Sequence, residues 1–242
     1  MIPKIIHYCW FGRNPLPELA QQCIASWRKF LPDYEIREWN EDNFDVYTTR
    51  YTREAYALKK YAFVSDYARF WVLYKYGGLY FDTDVELIKP IDDIIARGPF
   101  MGQEGGMQDS IGLRVATGLG MGAYPGHELF RTILMYYESI RFTTWNGAIR
   151  ENIVSIVNRH IKSMKVVNLN EGIMKCGDVL IYPEEYFCPI NFFTNTKNYT
   201  KNTRAIHHYA GTWLSRTLWN RIKHRITDMA IFYGLYPLKR YN

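Results

Sequence analysis

From Ala62 to Tyr76 the chain reads AFVSDYARFWVLYKY, the second half of a helical stretch predicted over about Glu54–Tyr76, apolar on nearly every side and stopped by Gly77-Gly78. A helix without a polar face is a buried helix, so any fold this chain adopts must enclose it. Inside it Asp66 and Arg69 stand at i and i+3, on one face and largely removed from water. Burying charges is costly unless they pair or bind something. The two residues are therefore either a plain buried ion pair or a grip on a polar ligand. Beyond the glycines, Leu79-Tyr80-Phe81-Asp82-Thr83-Asp84-Val85-Glu86-Leu87-Ile88 reads as a strand broken by Lys89-Pro90.

The start of the chain sets the fold class. Residues 2–11 read as an apolar strand. A helix is predicted over Glu18–Phe30 from Leu19, Cys23, Ile24 and Trp27, and Tyr34–Trp39 alternates as a second strand. Strand, helix, strand opens an α/β fold with a mostly parallel sheet. From Pro99 to Pro125 the chain is glycine-rich and aperiodic, which predicts loops and short strands around a site. Helices are predicted again at 126–142 and 146–163, and strands at 166–169, 179–183 and 205–209. The 242 residues, 48% of them hydrophobic and 22% charged, suffice for one domain with an appendage and exclude disorder of the bulk. No apolar run is long enough to cross a bilayer, and the N-terminus does not read as a secretory signal. Cys9, Cys23, Cys176 and Cys188 stand singly, as reduced thiols of a cytoplasmic protein do. Asn198-Tyr199-Thr200 matches a glycosylation sequon but is read as a polar loop.

Three groups of residues carry chemistry. In a strand, Tyr80, Asp82 and Asp84 share one face while Leu79, Phe81 and Val85 take the other, so two carboxylates would converge near a strand end. Like charges so close conflict, and a hard divalent cation resolves that conflict while leaving coordination positions for phosphate oxygens. His207-His208, approached by apolar residues and followed by Gly211-Thr212-Trp213, offers a third ligand; mixed carboxylate and imidazole ligation suits Mn2+ better than Mg2+. Trp10, just past the first strand, is a candidate stacking platform, or else a core side chain. Gly118-Leu119-Gly120-Met121-Gly122 lacks the strand-to-helix setting of a phosphate-binding loop, and no motif of a P-loop kinase or classical dehydrogenase is present.

Taken together, Ile2–His7 with Trp10, Ser65-Asp66-x-x-Arg69, Leu73-Tyr74-x-x-Gly77-Gly78-x-Tyr80-x-Asp82-x-Asp84, and His207-His208 with Trp213 resemble the DXD-containing sugar-binding family of glycosyltransferases. That family includes capsular polysaccharide transferases and initiating mannosyltransferases and is related to large glucosylating toxins. The resemblance covers residues 2 to about 213 and implies a GT-A fold, a Rossmann-like α/β/α sandwich, with Mn2+ or Mg2+ as cofactor. It implies a nucleotide-sugar donor, UDP-linked in preference to GDP-linked, and a saccharide or lipid-linked oligosaccharide acceptor in surface polysaccharide biosynthesis. By position, Trp10 would stack on the base, Asp66 and Arg69 would hold the donor sugar and its phosphate side, and Tyr80 would lie near the ribose. Asp82 would contact ribose or metal-bound water, Asp84 would ligate the metal, His208 would be the later metal ligand with His207 as the alternative, and Trp213 would bond the diphosphate. Asp82, Asp84 and Arg69 are thus the expected catalytic residues. Thr212 stands where the family often has Ser. Members of the family retain anomeric configuration, and no carboxylate here is spaced as a covalent nucleophile.

The net charge of +6 raises the question of an anionic partner. Six Lys/Arg against the single Asp228 lie in 214–242, so the other 213 residues carry 24 basic and 23 acidic side chains. A basic character confined to one end does not suit a nucleic-acid groove. The division expected is a catalytic domain over 1–213 and a basic amphipathic helix over 214–242, where Leu214, Leu218, Ile222 and Ile226 form an apolar stripe. That helix either lies on an anionic membrane, placing the protein at the inner face of the plasma membrane, or packs on the domain. A metal-dependent phosphohydrolase built on the Asp pair is the alternative chemistry, and it would need more ligands for two metals than the sequence offers.

Overall fold

A computed structural model describes residues 1–105, 113–145, 148–149, 152–191 and 196–211. In chain order the elements are β1 (Ile5–Cys9), α1 (Glu18–Phe30), β2 (Glu35–Trp39), α2 (Arg50–Ala57), α3 (Tyr61–Tyr76), β3 (Gly78–Tyr80), β4 (Val85–Leu87), α4 (Asp92–Ile95), β5 (Phe100–Gly102) and β6 (Met121–Ala123). They continue with α5 (Glu128–Ser139), β7 (Thr144–Trp145), β8 (Ala148–Ile149), α6 (Ile153–Lys162), β9 (Val166–Asn168), β10 (Met174–Cys176), β11 (Val179–Tyr182), α7 (Glu184–Phe187) and β12 (Ala205–His207). Together these elements make up the unit Met1–Tyr209.

Eight strands form one sheet in the order β2-β1-β3-β6-β5-β11-β10-β9. Among the described residues only β1–β2, β1–β3 and β5–β11 pair in parallel, yet β6 and β10 are the only strands of this sheet that run against the rest. The expected mostly parallel sheet is thus right in direction and mixed in pairing. Each face has its own core. Trp39, Tyr67, Phe70, Tyr80, Met121, Phe130 and Ile181 fill one side with α3 and α5; Ile6, Trp27, Leu79, Phe81, Phe100, Leu180 and Phe187 fill the other with α1. This is the α/β/α sandwich that the resemblance implies.

The helix predicted as one piece over 54–76 is two, separated at Leu58–Lys60, where Lys59 takes φ 57°. The turn allows α2, capped by Thr49, to bury Tyr51 and Ala55 on an axis of its own while α3 is enclosed. Gly77 and Gly78, at φ 65° and 99°, reverse the chain straight into β3. A Cβ on Gly78 would stand 2.5 Å from the Ile5 carbonyl oxygen, so only glycine lets β3 reach β1 there. The imidazole of His7, fully buried, fixes the same junction: its Nε2 bonds the Gly77 carbonyl at 2.8 Å and its Nδ1 accepts from Trp39 Nε1 at 2.9 Å. Burial lowers the His7 pKa to about 4, so the ring is neutral at physiological pH.

The strand predicted over 79–88 is interrupted. β3 stops at Tyr80, and Asp82–Asp84 form a turn closed by the Val85 N–H on the Asp82 carbonyl at 3.1 Å. The helix predicted over 146–163 begins at Ile153, after the short β7–β8 pair, and the strand predicted over 205–209 ends at His207. The expected tail helix over 214–242 lies outside the described residues.

Candidate functional site

The carboxyl ends of β1 and β3 point to one edge of the sheet, where α/β folds place ligands. Arg69 lies eight residues before Gly77, about 12 Å along a helix. Asp82 lies four residues after Gly78, about 13 Å along an extended chain. The hairpin-like reversal at the two glycines therefore returns Asp82 to the level of Arg69, and the structure joins them: Arg69 Nη2 is 3.3 Å from Asp82 Oδ1 and 3.1 Å from Asp66 Oδ1. The guanidinium also donates to the Ser65 carbonyl at 3.2 Å and to Thr117 Oγ1 at 3.1 Å, and stacks over Tyr80 at 5.0 Å from the ring centroid. Tyr80 Oη donates to Asp82 Oδ1 at 3.0 Å.

Burial decides the charges in this group. Asp66 is 6% exposed and Arg69 5%. Desolvation pushes Asp66 up to about 7, against the pull of Arg69. Burial would lower Arg69 too, but Asp82, Tyr80 and Asp66 around it outweigh that and keep the guanidinium charged. Cys9, beneath the cluster, is pushed by burial up to about 12 and stays a thiol. A buried cation shared by two carboxylates, one buried and one at the surface, can meet an incoming anion without first shedding a shell of water.

The two carboxylates of the Asp82-Thr83-Asp84 motif do not converge as a continuous strand would have made them. The turn sends Asp82 to Arg69 and Asp84 to the other side, where its Oδ1 lies 3.3 Å from His207 Nε2. β12 pairs antiparallel with β4, setting His207 opposite Val85, and the His208 N–H bonds the Asp84 carbonyl at 2.9 Å. The His208 ring turns instead to Glu86, 2.9 Å away. Burial opposes charge on His207, but Asp84 and then Cys188 raise its pKa well above the ordinary value. Tyr209, at φ 50°, packs its ring 4.1 Å from that of His207 and places its hydroxyl 2.9 Å from Cys188 Sγ.

Among the described residues no three His, Cys, Asp or Glu side chains already form a metal cluster. The donor chemistry nevertheless fits a divalent cation that takes few protein ligands. Asp84 and His207 are neighbouring carboxylate and imidazole donors whose Oδ1 and Nε2 face each other at 3.3 Å, and substrate phosphates commonly complete such a shell.

The other expected residues fall as follows. Trp10 sits half-buried at the carboxyl end of β1, with its indole N–H bonded to the Asn14 carbonyl at 2.6 Å. Tyr80 is 1% exposed, so it bears on the site through Asp82 rather than by direct contact with solvent. Trp213 lies outside the described residues. Sequence reading did not single out Thr117, Gly118, Glu86, Cys188 or Tyr209 as site residues. The glycine run at 118–122 was a trace of Gly118, since close backbone approach is a reason for glycine.

Residues 17–101 match the family model "Glycosyltransferase sugar-binding region containing DXD motif", which bears out the resemblance and takes in Asp66, Arg69, Asp82 and Asp84. Over 111 residues the chain is 28% identical to inositol phosphoceramide mannosyltransferase 1 of Schizosaccharomyces pombe, a segment covering 41% of this chain and 33% of that protein. Over 102 residues it is 31% identical to inositol phosphoceramide mannosyltransferase 3 of the same yeast, covering 39% and 27%. The chain thus matches about a third of the length of these relatives. A solved structure, a glycosyltransferase involved in the glycosylation of the major capsid of PBCV-1, superposes with a TM-score of 0.53 at 12% identity, covering 93% of this chain and 100% of the other, and so shares its fold.

Proposed function

We propose that this chain, whose residues 17–101 match the model of a glycosyltransferase sugar-binding region containing a DXD motif, transfers a sugar from a nucleotide-sugar donor to a saccharide or lipid-linked acceptor with the help of a divalent metal ion. The observation that carries this reading is the buried Arg69 held between Asp66 and Asp82, with Asp84, two residues on in the same turn, paired to His207. The mannosyltransferase relatives bring mannose forward among the sugars to try, and their name supports an acceptor with a phosphorylated lipid headgroup. An acceptor of that kind is consistent with work at the inner face of the plasma membrane and with a role in surface polysaccharide assembly.

Asp84 and His207 would hold Mn2+ or Mg2+, which when bound supplies Lewis-acid neutralisation of the donor's diphosphate. Arg69 supplies positive charge toward the departing phosphate, and because its guanidinium is fixed by four partners it need not reorganise as that charge grows. Asp82 and Asp66 bond donor hydroxyls, and Trp10 offers a face to the base. In the transfer the bond from the anomeric carbon to the diphosphate oxygen breaks and a bond from that carbon to the acceptor oxygen forms. The acceptor proton passes to the departing diphosphate oxygen on the same face, so configuration is retained.

The test is release of nucleoside diphosphate from UDP-, GDP- and dTDP-sugars by the purified chain with Mn2+ and with Mg2+. Turnover of one donor, lost with EDTA and in Asp84→Ala, supports the reading and names the donor. Absence of both turnover and nucleotide binding for every donor would overturn it, and an inverted product by NMR would overturn the same-face mechanism.

A further inference from the structure

The segment Leu113–Gly120 is glycine-punctuated and lies beyond the matched DXD region, yet it is buried almost throughout. It is fastened before it reaches the site. The Arg114 N–H donates to Gln103 Oε1 at 2.9 Å and the Ala116 N–H to the Gly102 carbonyl at 3.1 Å. From α6, buried Asn158 accepts the Val115 N–H at 3.0 Å and donates to the Val115 carbonyl at 3.2 Å. The next two residues touch the charged cluster. Thr117, 1% exposed, accepts from Arg69 Nη1 at 3.1 Å, and the Gly118 carbonyl accepts the Asp82 N–H at 2.9 Å.

Gly118 is not glycine for the sake of its backbone, because it is absent from the residues of positive φ. Space is the reason. A Cβ there would stand 1.8 Å from Asp82 Oδ2, where ordinary contact begins at 3.4 Å. Any side chain at 118 therefore turns the Asp82 carboxylate out of its bonds with Arg69 and Tyr80.

We propose that Thr117 and Gly118 are positioning residues that fix Arg69 and Asp82, with Asn158 anchoring the strap that carries them. The catalytic consequence rests on the glycosyltransferase reading; the positional one does not. Thr117 holds an N–H edge of the guanidinium, and Gly118 leaves the pocket the carboxylate occupies. Misplacement of a reacting group by about 1 Å costs up to about 100-fold in rate.

The experiment is a double-mutant cycle of Gly118→Ala with Asp82→Ala, read by thermal unfolding and by kcat and KM for the donor found in the screen. Gly118→Ala is expected to lower kcat/KM about 10–100-fold and to lower Tm, and both effects are expected to vanish once Asp82 is alanine. Thr117→Val is expected to lower kcat about 10-fold and Thr117→Ser to restore it, since Ser returns the hydroxyl. Additive effects of the two substitutions on Tm would overturn the positional proposal, as would Thr117→Val with unchanged kcat. Coupling in Tm with no turnover or binding of any donor by the unsubstituted chain would overturn the glycosyltransferase reading, and the catalytic part of the proposal with it.

Discussion

Replacing Arg69 by Met keeps the length and apolar stem of the side chain and removes only its charge and donors. Asp66, 6% exposed and pushed up to about 7 even with Arg69 3.1 Å away, is then left without its counter-charge. Asp82, whose side chain is 32% exposed, can hydrate instead. Breaking a buried ion pair by removing one partner costs about 3–5 kcal/mol. In a domain of this size each kcal/mol is worth about 2–4 °C, so Tm is expected to fall by roughly 6–20 °C. Arg69→Met combined with Asp66→Leu removes the orphaned carboxylate as well. Because apolar replacement of a whole buried pair is often neutral, most of the lost Tm is expected to return. Donor turnover is not expected to return, because the cation facing the departing phosphate is still missing. Differential scanning fluorimetry and nucleoside diphosphate release on the two variants decide the matter. A loss below about 3 °C in the single variant, or turnover regained in the double one, would refute the reasoning that Arg69 is both a buried charge and a working one.

His7 gives a pH dependence with a definite sign. Its pKa is about 4 in the folded chain against an ordinary 6.5, so between those values the unfolded chain binds the proton more readily and acid destabilises the fold. Stability is complete above pH 6.5 and is lost as pH falls toward 4, by about 3 kcal/mol in all. His7→Gln should show a flatter pH dependence in urea unfolding, and identical slopes for the two chains would dismiss the effect. Gly78→Ala should cost more than Gly98→Ala: both sites have positive φ, but only the Cβ at 78 meets backbone, 2.5 Å from the Ile5 oxygen, so the difference in unfolding midpoints isolates the clash. Thr49→Ala removes the cap of α2, where Thr49 Oγ1 accepts the Thr52 N–H at 3.0 Å, and should cost about 1 kcal/mol with little effect on donor turnover.

What the sequence determined by itself was whatever depends on neighbours along the chain. The all-round apolar character of Ala62–Tyr76 required an enclosing fold, and the order strand, helix, strand made that fold α/β. The spacing from Asp66 and Arg69 through Gly77-Gly78 to Asp82 was enough to mark a site, because helix rise, a two-glycine reversal and strand rise together return the chain to one level. Tertiary structure decided the rest. Alternation alone puts Asp82 and Asp84 on one face, but β3 ends at Tyr80 because Asp82 is taken up by Arg69 and by the Gly118 carbonyl, and the turn that follows parts the two carboxylates. The register of β12 against β4 likewise brings His207 rather than the ring of His208 to Asp84. Thr117 meets Arg69 across 48 residues, and no local pattern encodes such a contact. It exists only once Asn158 and Gln103 have drawn the strap into the core, and the loop-closure entropy that opposes it is offset by burial summed over both sides of the sheet.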